Sequence, residues 1–394
     1  MSERTAVVTA VGVLSPLGRG PACSWDAVLT GRSGVSRDAD GRPVALVRGA
    51  DAPGSVRDAD GRPLRGRATA LAAAAGADAL TGSGLDPERV DLVVGTTMGE
   101  PSWIDTWPDA DAAQAPPPPG RVRELLDGTP DGLAAALATE LGVGGRVAAV
   151  GGACAAGNFA LARALDDVRS GRADRVLAGG VDAFSRTALI GFARLGALAG
   201  DGCRPFGLDR QGLVLGEGAA FLLVEERSAA EARGAEPLAE LAGAGMSCDA
   251  HHPTSPHPEG AGAARAVLAA LGDASADPDD VGWVSAHGTG TPANDRAEVR
   301  ALRSVFTGRR PPASSVKSLT GHGLGAASAV EAVLAITALR ERTLPPTWCV
   351  GAQDPECDWD VVTDGPRELE GEVVVNQAYA FGGCNAVTVF RRAS

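Results

Sequence analysis

The sequence predicts a layered α/β fold assembled from two related halves. Three observations carry this reading. Short apolar runs bounded by glycine recur along the 394 residues, as buried strands do. Alanine-rich stretches of helical character lie between them. A strand running into a small-residue turn occurs in both halves, which points to an internal duplication. Aromatic residues make up only 4% of the chain, so the core is expected to consist of small, closely packed side chains.

Taken in order, AVVTAVGVL at 6–14 reads as the first buried strand; Thr9, Gly12 and Ser15 interrupt its apolar run, unlike a signal peptide. RDADGRP occurs at 37–43 and again at 57–63. Its D-x-D-G resembles the opening of a calcium loop, but the required later glutamate is missing, so both copies are read as solvent-facing turns. A helix over Leu71–Leu80 and a strand in VDLVVGTT follow. DAAQAPPPPG at 111–120 is an exposed loop or linker. Strands in RVAAVGGA, RVLAGGVDAF and AAFLLVE, with a helix over Ala160–Arg169, complete the first half. The break falls near 235–245, dividing the chain into 1–240 and 241–394. The second half holds helices over Gly262–Leu271 and Ala326–Arg340 and strands in VGWVSAHG and VVVNQAYAF.

A net charge of −13 argues against nucleic acid as a partner, because phosphate binding needs a basic footprint. No apolar run approaches membrane-spanning length. Seven cysteines, an odd number without a C-x-x-C pair, suit free thiols in a reducing cytoplasm. The chain has a single lysine, Lys317, among 36 basic residues; the arginine bias fits a GC-rich genome, and the one lysine stands out against it.

Cys154, in GGACAAG, follows a strand and opens a helix. A thiol there feels the positive end of the helix dipole, which favours the thiolate; on this segment alone a nucleophile and a buried structural cysteine are equal alternatives. For Cys23, Cys203, Cys248, Cys349, Cys357 and Cys384, packing is the expectation. HHPTSPHPEG groups His251, His252 and His257, but its prolines and irregular spacing indicate a loop, and no metal is assigned. His287 ends a strand in SAHGTGTPANDRAE, where α/β sheets place active-site residues. His322 lies in a glycine-rich turn opening a helix. Two such imidazoles with a helix-capping cysteine shift the reading towards chemistry. Three of the four asparagines (Asn294, Asn376, Asn385) fall near these motifs, and the sole tyrosine, Tyr379, precedes AFGG, whose N–H groups could face an oxyanion.

GGACAAG, AHGTGTPANDRAE, KSLTGHGLGAAS and NQAYAFGGCNA together resemble the signature stretches of elongating β-ketoacyl-acyl-carrier-protein synthases, of the thiolase fold. The intervening GFARLGAL, RPFGLDRQGLVLGEGAAFLLVEE and HHPTSPHPEGAGA follow in the same order. The resemblance implies a layered αβαβα arrangement and an acyltransferase that condenses a cysteine-bound acyl group with a malonyl-type thioester, with loss of carbon dioxide. It implies Cys154 as nucleophile, and His287 and His322 as hydrogen-bond donors to the malonyl thioester. It places the N–H groups of Cys154 and Phe381 in an oxyanion hole, and Thr289 and Thr291, with Thr254, along the pantetheine tunnel beside Tyr379. Lys317 is expected near His322, paired with Glu298. Substrates are implied to ride on the phosphopantetheine of an acyl carrier protein, with Arg65 and Arg67 on the docking helix, no bound cofactor and a homodimer.

The sequence departs from that pattern at Ala156, Ala380 and Ser328, and most strongly over 96–146, where Trp103 and Trp107 are candidates to reshape the acyl pocket. These departures favour polyketide or other specialised-metabolite biosynthesis over housekeeping fatty acid synthesis. They also admit an alternative, a non-decarboxylating acyltransferase or cyclase acting on a carrier-bound chain.

Overall fold

The structure is a computed structural model that describes residues 4–49, 66–102 and 126–393. Arg65, Trp103, Trp107, the second RDADGRP copy and the proline-rich stretch lie outside the described residues.

The first half contributes strands β1 (Ala6–Ser15), β2 (Asp91–Thr96), β3 (Val147–Gly151), β4 (Arg175–Asp182) and β5 (Gly218–Glu226). The second contributes β6 (Ala239–Cys248), β7 (Val281–Ser285), β8 (Ala313–Ser314), β9 (Val373–Tyr379) and β10 (Cys384–Arg391). They join in the order β3-β2-β4-β5-β1-β6-β10-β9-β7-β8. Each half repeats the other. In the first, β2 runs parallel to β3 and β4, and β5 runs antiparallel to β4 and β1. In the second, β7 runs parallel to β8 and β9, and β10 antiparallel to β9 and β6. The halves meet where β1 pairs with β6, Val7 opposite Glu240 and Val8 opposite Ala239. A division between 240 and 241 would cut β6, so the repeat begins before Ala239.

The helices repeat in the same way. α1 (Arg67–Ser83), α2 (Pro130–Leu141) and α3 (Ala156–Arg169) are matched by α4 (Ala261–Asp273), α5 (Pro292–Val305) and α6 (Ala327–Glu341). α1 packs on β1 and β5, and α2 on β3; α4 packs on β6 and β10, and α5 lies against α4. α3 and α6 touch strands of both halves, α3 on β4 and β10 and α6 on β5 and β9. The result is five layers, αβαβα, with α3 and α6 at the centre.

The residues explain this placement. α6 is buried on every face from Ala327 to Ile336, the mark of a helix with no solvent side. Small residues let the layers close: a Cβ at Gly180 of β4 would lie 2.3 Å from the Gly325 carbonyl oxygen.

A buried asparagine ties the central helices to the second half. Asn158, in the first turn of α3, donates from Nδ2 to the carbonyls of Asn376 and Ala386, while its Oδ1 accepts from Asn376 Nδ2 and Thr388 Oγ1. Its N–H donates to Ser328 Oγ of α6 at 3.0 Å, which gives the serine at 328 a structural role. Asn376 is therefore a pin in the frame, not a group facing substrate. Replacing Asn158 with alanine strands several buried donors and acceptors at once. An Asn158→Ala variant is expected to lose about 2–4 kcal/mol of stability, read by urea denaturation; a loss below about 1 kcal/mol would remove the network from the account of the fold.

Candidate active site

Cys154 and His287 each sit where a strand of the duplicated sheet gives way to a helix. After β3 the chain turns through Gly152 and Ala153, the latter at φ 46°, so that Cys154 stands in a short 3-10 turn leading into α3. The same turn recurs before α6, where Leu324 at φ 52° leads a 3-10 turn over Leu324–Ala326. The place of Cys154 is taken there by Gly325.

His287 follows β7. Its N–H donates to Glu298 Oε1 at 2.7 Å, and the Gly288 N–H donates to Oε2 of the same carboxyl at 2.8 Å. Glu298, on the second turn of α5, thus clamps the backbone that presents His287. A side chain at Gly288 (φ 35°) would strike Ser315, so the turn stays narrow. His322 is held by its backbone: its N–H donates to Val214 O at 2.7 Å and its carbonyl accepts from Gly216 N–H at 2.9 Å.

These elements bring Cys154, His287, His322, Thr289, Thr291, Thr254, Tyr379 and Phe381 to the wall of one cavity of about 320 Å³. The two imidazole rings lie edge to face with centroids 5.4 Å apart, and Tyr379 packs on His287 at 5.6 Å. Thr289 and Thr291 share a hydroxyl hydrogen bond of 2.9 Å. Phe381 stacks against Phe192 at the wall, 5.4 Å between centroids. It belongs to a loop whose positive φ angles fall on Gly382 and Gly383, whereas Ala380 is extended at φ −130° and fits without strain.

Burial dominates the electrostatics. It holds both imidazoles well below the ordinary histidine range, and the Lys317 ammonium lowers each further; both rings are neutral near pH 7. The Nδ1 of each is buried with no hydrogen-bond partner among the described residues. Burial also pushes the Cys154 thiol up to about 12, aided by the charge of Asp182 and opposed by Lys317 and by the N–H groups of Cys154 and Phe381. The helix terminus therefore does not yield a resting thiolate, contrary to the expectation from the sequence. Those two N–H groups converge on the sulfur, where an oxyanion formed at an attacked carbonyl would sit.

Lys317 is fully buried, and its Nζ bonds Glu331 Oε1 of α6 at 2.5 Å. This corrects the expected pairing with Glu298, whose oxygens are taken by the His287 turn and by Asn294. Burial pushes both Glu331 and Glu298 up to about 7. Sequence reasoning missed Glu331, although a lone carboxylate within an otherwise apolar helix was a signal. It also missed Asp182, which ends β4 and accepts from Thr96 Oγ1 and from the N–H groups of Thr97, Met98 and Gly325.

Other expectations need revision. Arg67 is occupied by Glu217, through Nε at 2.7 Å, and by the Val47 carbonyl, so it is not free for docking. Cys248 and Cys349 are exposed instead of packed. Asn385 binds Ser247 and Asp249. Two expectations stand: the His251–His257 trio lies in a loop, where His252 Nδ1 accepts from the N–H groups of Thr254 and Ser255, and the first RDADGRP copy is a turn closed on Asp38 Oδ1.

Residues 3–230 match the family model "Beta-ketoacyl synthase, N-terminal domain", and residues 238–350 match "Beta-ketoacyl synthase, C-terminal domain". Nodulation protein E of Rhizobium leguminosarum bv. trifolii is 38% identical over 411 aligned positions, covering 99% of this chain and all of the relative. The 3-oxoacyl-[acyl-carrier-protein] synthase 2 of Staphylococcus aureus is 33% identical, covering 99% of both chains. Among solved structures, the ishigamide ketosynthase/chain length factor superposes with a TM-score of 0.91 at 35% identity over the full length of both.

The Lys317–Glu331 pair can be tested apart from any turnover. Lys317→Met leaves a buried carboxyl without its cation and is expected to cost about 3–5 kcal/mol. Lys317→Met combined with Glu331→Gln should recover most of that. In the double variant the imidazole pKa values, followed by NMR, should rise towards the ordinary range, because the cation that depresses them is gone. Unchanged imidazole titration would show that Lys317 acts through packing alone.

Proposed function

The chain belongs to the β-ketoacyl synthase family, and from that premise we propose that it forms a carbon–carbon bond by decarboxylative condensation of two carrier-protein thioesters in specialised metabolism. The observation that carries this reading is the single cavity that joins a thiol, two converging N–H groups and two neutral imidazoles.

Cys154 takes the acyl group from the phosphopantetheine of an acyl carrier protein. Its sulfur attacks the thioester carbonyl, and the thiol proton ends on the departing pantetheine thiolate. The oxyanion of this step meets the N–H groups of Cys154 and Phe381. A malonyl-type thioester then enters between Thr289 and Thr291. Its carbonyl accepts from Nε2–H of His287 and His322, which stabilise the enolate formed as carbon dioxide leaves. Neutral imidazoles suit this role: they donate without proton transfer, and burial, reinforced by Lys317, maintains that state by depressing their pKa values. The enolate carbon attacks the Cys154 thioester, the oxyanion returns to the same two N–H groups, and collapse releases a β-ketoacyl carrier protein and the Cys154 thiolate, which takes a proton from solvent. Glu298 positions His287; Glu331 neutralises Lys317.

The edge strand β3, immediately before Cys154, is partly exposed, with Val147 at 41%. An open strand edge needs a partner, and we assign it to a homodimer that continues the sheet. With Arg67 occupied, Arg194 becomes the basic group offered to an acidic carrier. It is exposed at the end of the helix Arg186–Arg194, beside the cavity-lining Leu195.

With an acyl and a malonyl carrier protein, mass spectrometry should detect an acyl adduct on Cys154 followed by β-ketoacyl product and carbon dioxide. Cys154→Ala should abolish the adduct and the product but retain release of carbon dioxide, which needs only the imidazoles; acylation without condensation for any malonyl donor would sink the proposal. Arg194→Glu should raise the KM for the carrier at least about tenfold and leave acylation by a small thioester unchanged; equal losses would remove Arg194 from the docking surface.

A further inference from the structure

Two cysteines that the mechanism does not use face one another beside the Phe381 loop. Cys248 ends β6 and Cys384 opens β10, directly opposite in the antiparallel register. One step along, the Asp249 N–H donates to the Gly383 carbonyl at 2.8 Å, which marks that pair as hydrogen-bonded. Cys248 and Cys384 are therefore a non-hydrogen-bonded pair, with side chains on one face and a Cα separation of about 4.5 Å. That lies within the window a disulfide accepts. Both thiols are free; Cys248 is exposed and Cys384 half-buried. The Cys248 thiol already contacts the Gly382 carbonyl at 3.7 Å. The thiols also feel one another, since Cys248 adds to the effect of burial in raising Cys384.

We propose that Cys248 and Cys384 form a reversible disulfide that fastens the Phe381 loop to β6. The loop spans Ala380–Gly383 and ends at Cys384, so the bond would fix its root, next to the two residues that turn it through positive φ, Gly382 and Gly383. The oxidant class is a low-molecular-weight disulfide. The exposed Cys248, as thiolate, attacks it, forming a mixed disulfide and expelling one thiol. Cys384 then attacks the Cys248 sulfur and expels the second. Two protein thiols are oxidised, one external disulfide is reduced to two thiols, and the two cysteine protons end on those thiols. Such bonds in a reducing compartment are transient and regulatory. Because Phe381 supplies both an N–H group and the aromatic wall of the cavity, fastening its loop should slow loading and condensation; this consequence, unlike the bond itself, rests on the function proposed above.

The full-length protein is incubated with oxidised glutathione and mapped by mass spectrometry. The expected product is a peptide pair linked through Cys248 and Cys384, lost on reduction and absent from Cys248→Ser, with glutathione on the exposed Cys349. Glutathione carried separately on Cys248 and Cys384, or neither reacting while Cys349 does, would overturn the proposal. Condensation by the linked protein should fall at least about fivefold and recover with dithiothreitol, and Cys248→Ser should be insensitive. A linked protein with an unchanged rate would overturn the restraint on the loop. A reduced protein that forms the link but never condenses supports the disulfide and counts against the reading of function.

Discussion

The constraint on which the site depends is a buried cation. Lys317 and Glu331 meet at 2.5 Å inside the central helix layer, with side chains 0% and 3% exposed. Neither charge could be left there alone, since an unpaired buried charge costs several kcal/mol. Together they place a fixed positive field beside the cavity without presenting a charge to substrate. That field acts on Cys154 and on both imidazoles. Arginine would not substitute, because its planar fork needs more room and more acceptors than one carboxyl in α6 provides.

Much of this arrangement was legible in the sequence. The strand runs ending before Cys154 and His287 were marked by glycine-bounded apolar patterns, and the Ala-rich helices fall within α1, α3 and α4 and, but for Ala326, within α6. The duplication was visible as a recurring strand and small-residue turn. α2 and α5 were not read. α5, PANDRAEVRALRSV, is polar enough to pass for surface, and its inward face shows only at three-and-four spacing. The ion pair was half legible. A single lysine announced itself, but its partner could not be chosen from spacing, because what removed Glu298 from contention was a hydrogen bond to the backbone of its own helix entry. Pairwise reasoning among side chains misses main-chain donors that claim a carboxylate first.

The same competition accounts for the other misassignments. Arg67 sits on the expected helix but turns to Glu217 and the Val47 carbonyl. The rare asparagines near the motifs were seen as special; Asn294 and Asn385 line the cavity, and Asn376 alone does not. Asn376 and Asn385 bind backbone and frame, and only Asn294 approaches the clamp on His287. Low frequency marks a residue whose chemistry cannot be replaced, whether that chemistry serves substrate or scaffold.

The paired turns before α3 and α6 bear on how such a chain can change. Two equivalent corners once offered equivalent opportunities, yet only one holds a thiol. At the other, Gly325 gives its N–H to Asp182 at 2.6 Å, and a Cβ there would come within 2.7 Å of that carboxylate and 2.9 Å of the Thr97 nitrogen. The Asp182 carboxylate in turn organises the end of β2 opposite. Division of labour between the halves is thus locked in: a nucleophile could enter the second corner only by dismantling the Asp182 network that joins Gly325 to the end of β2.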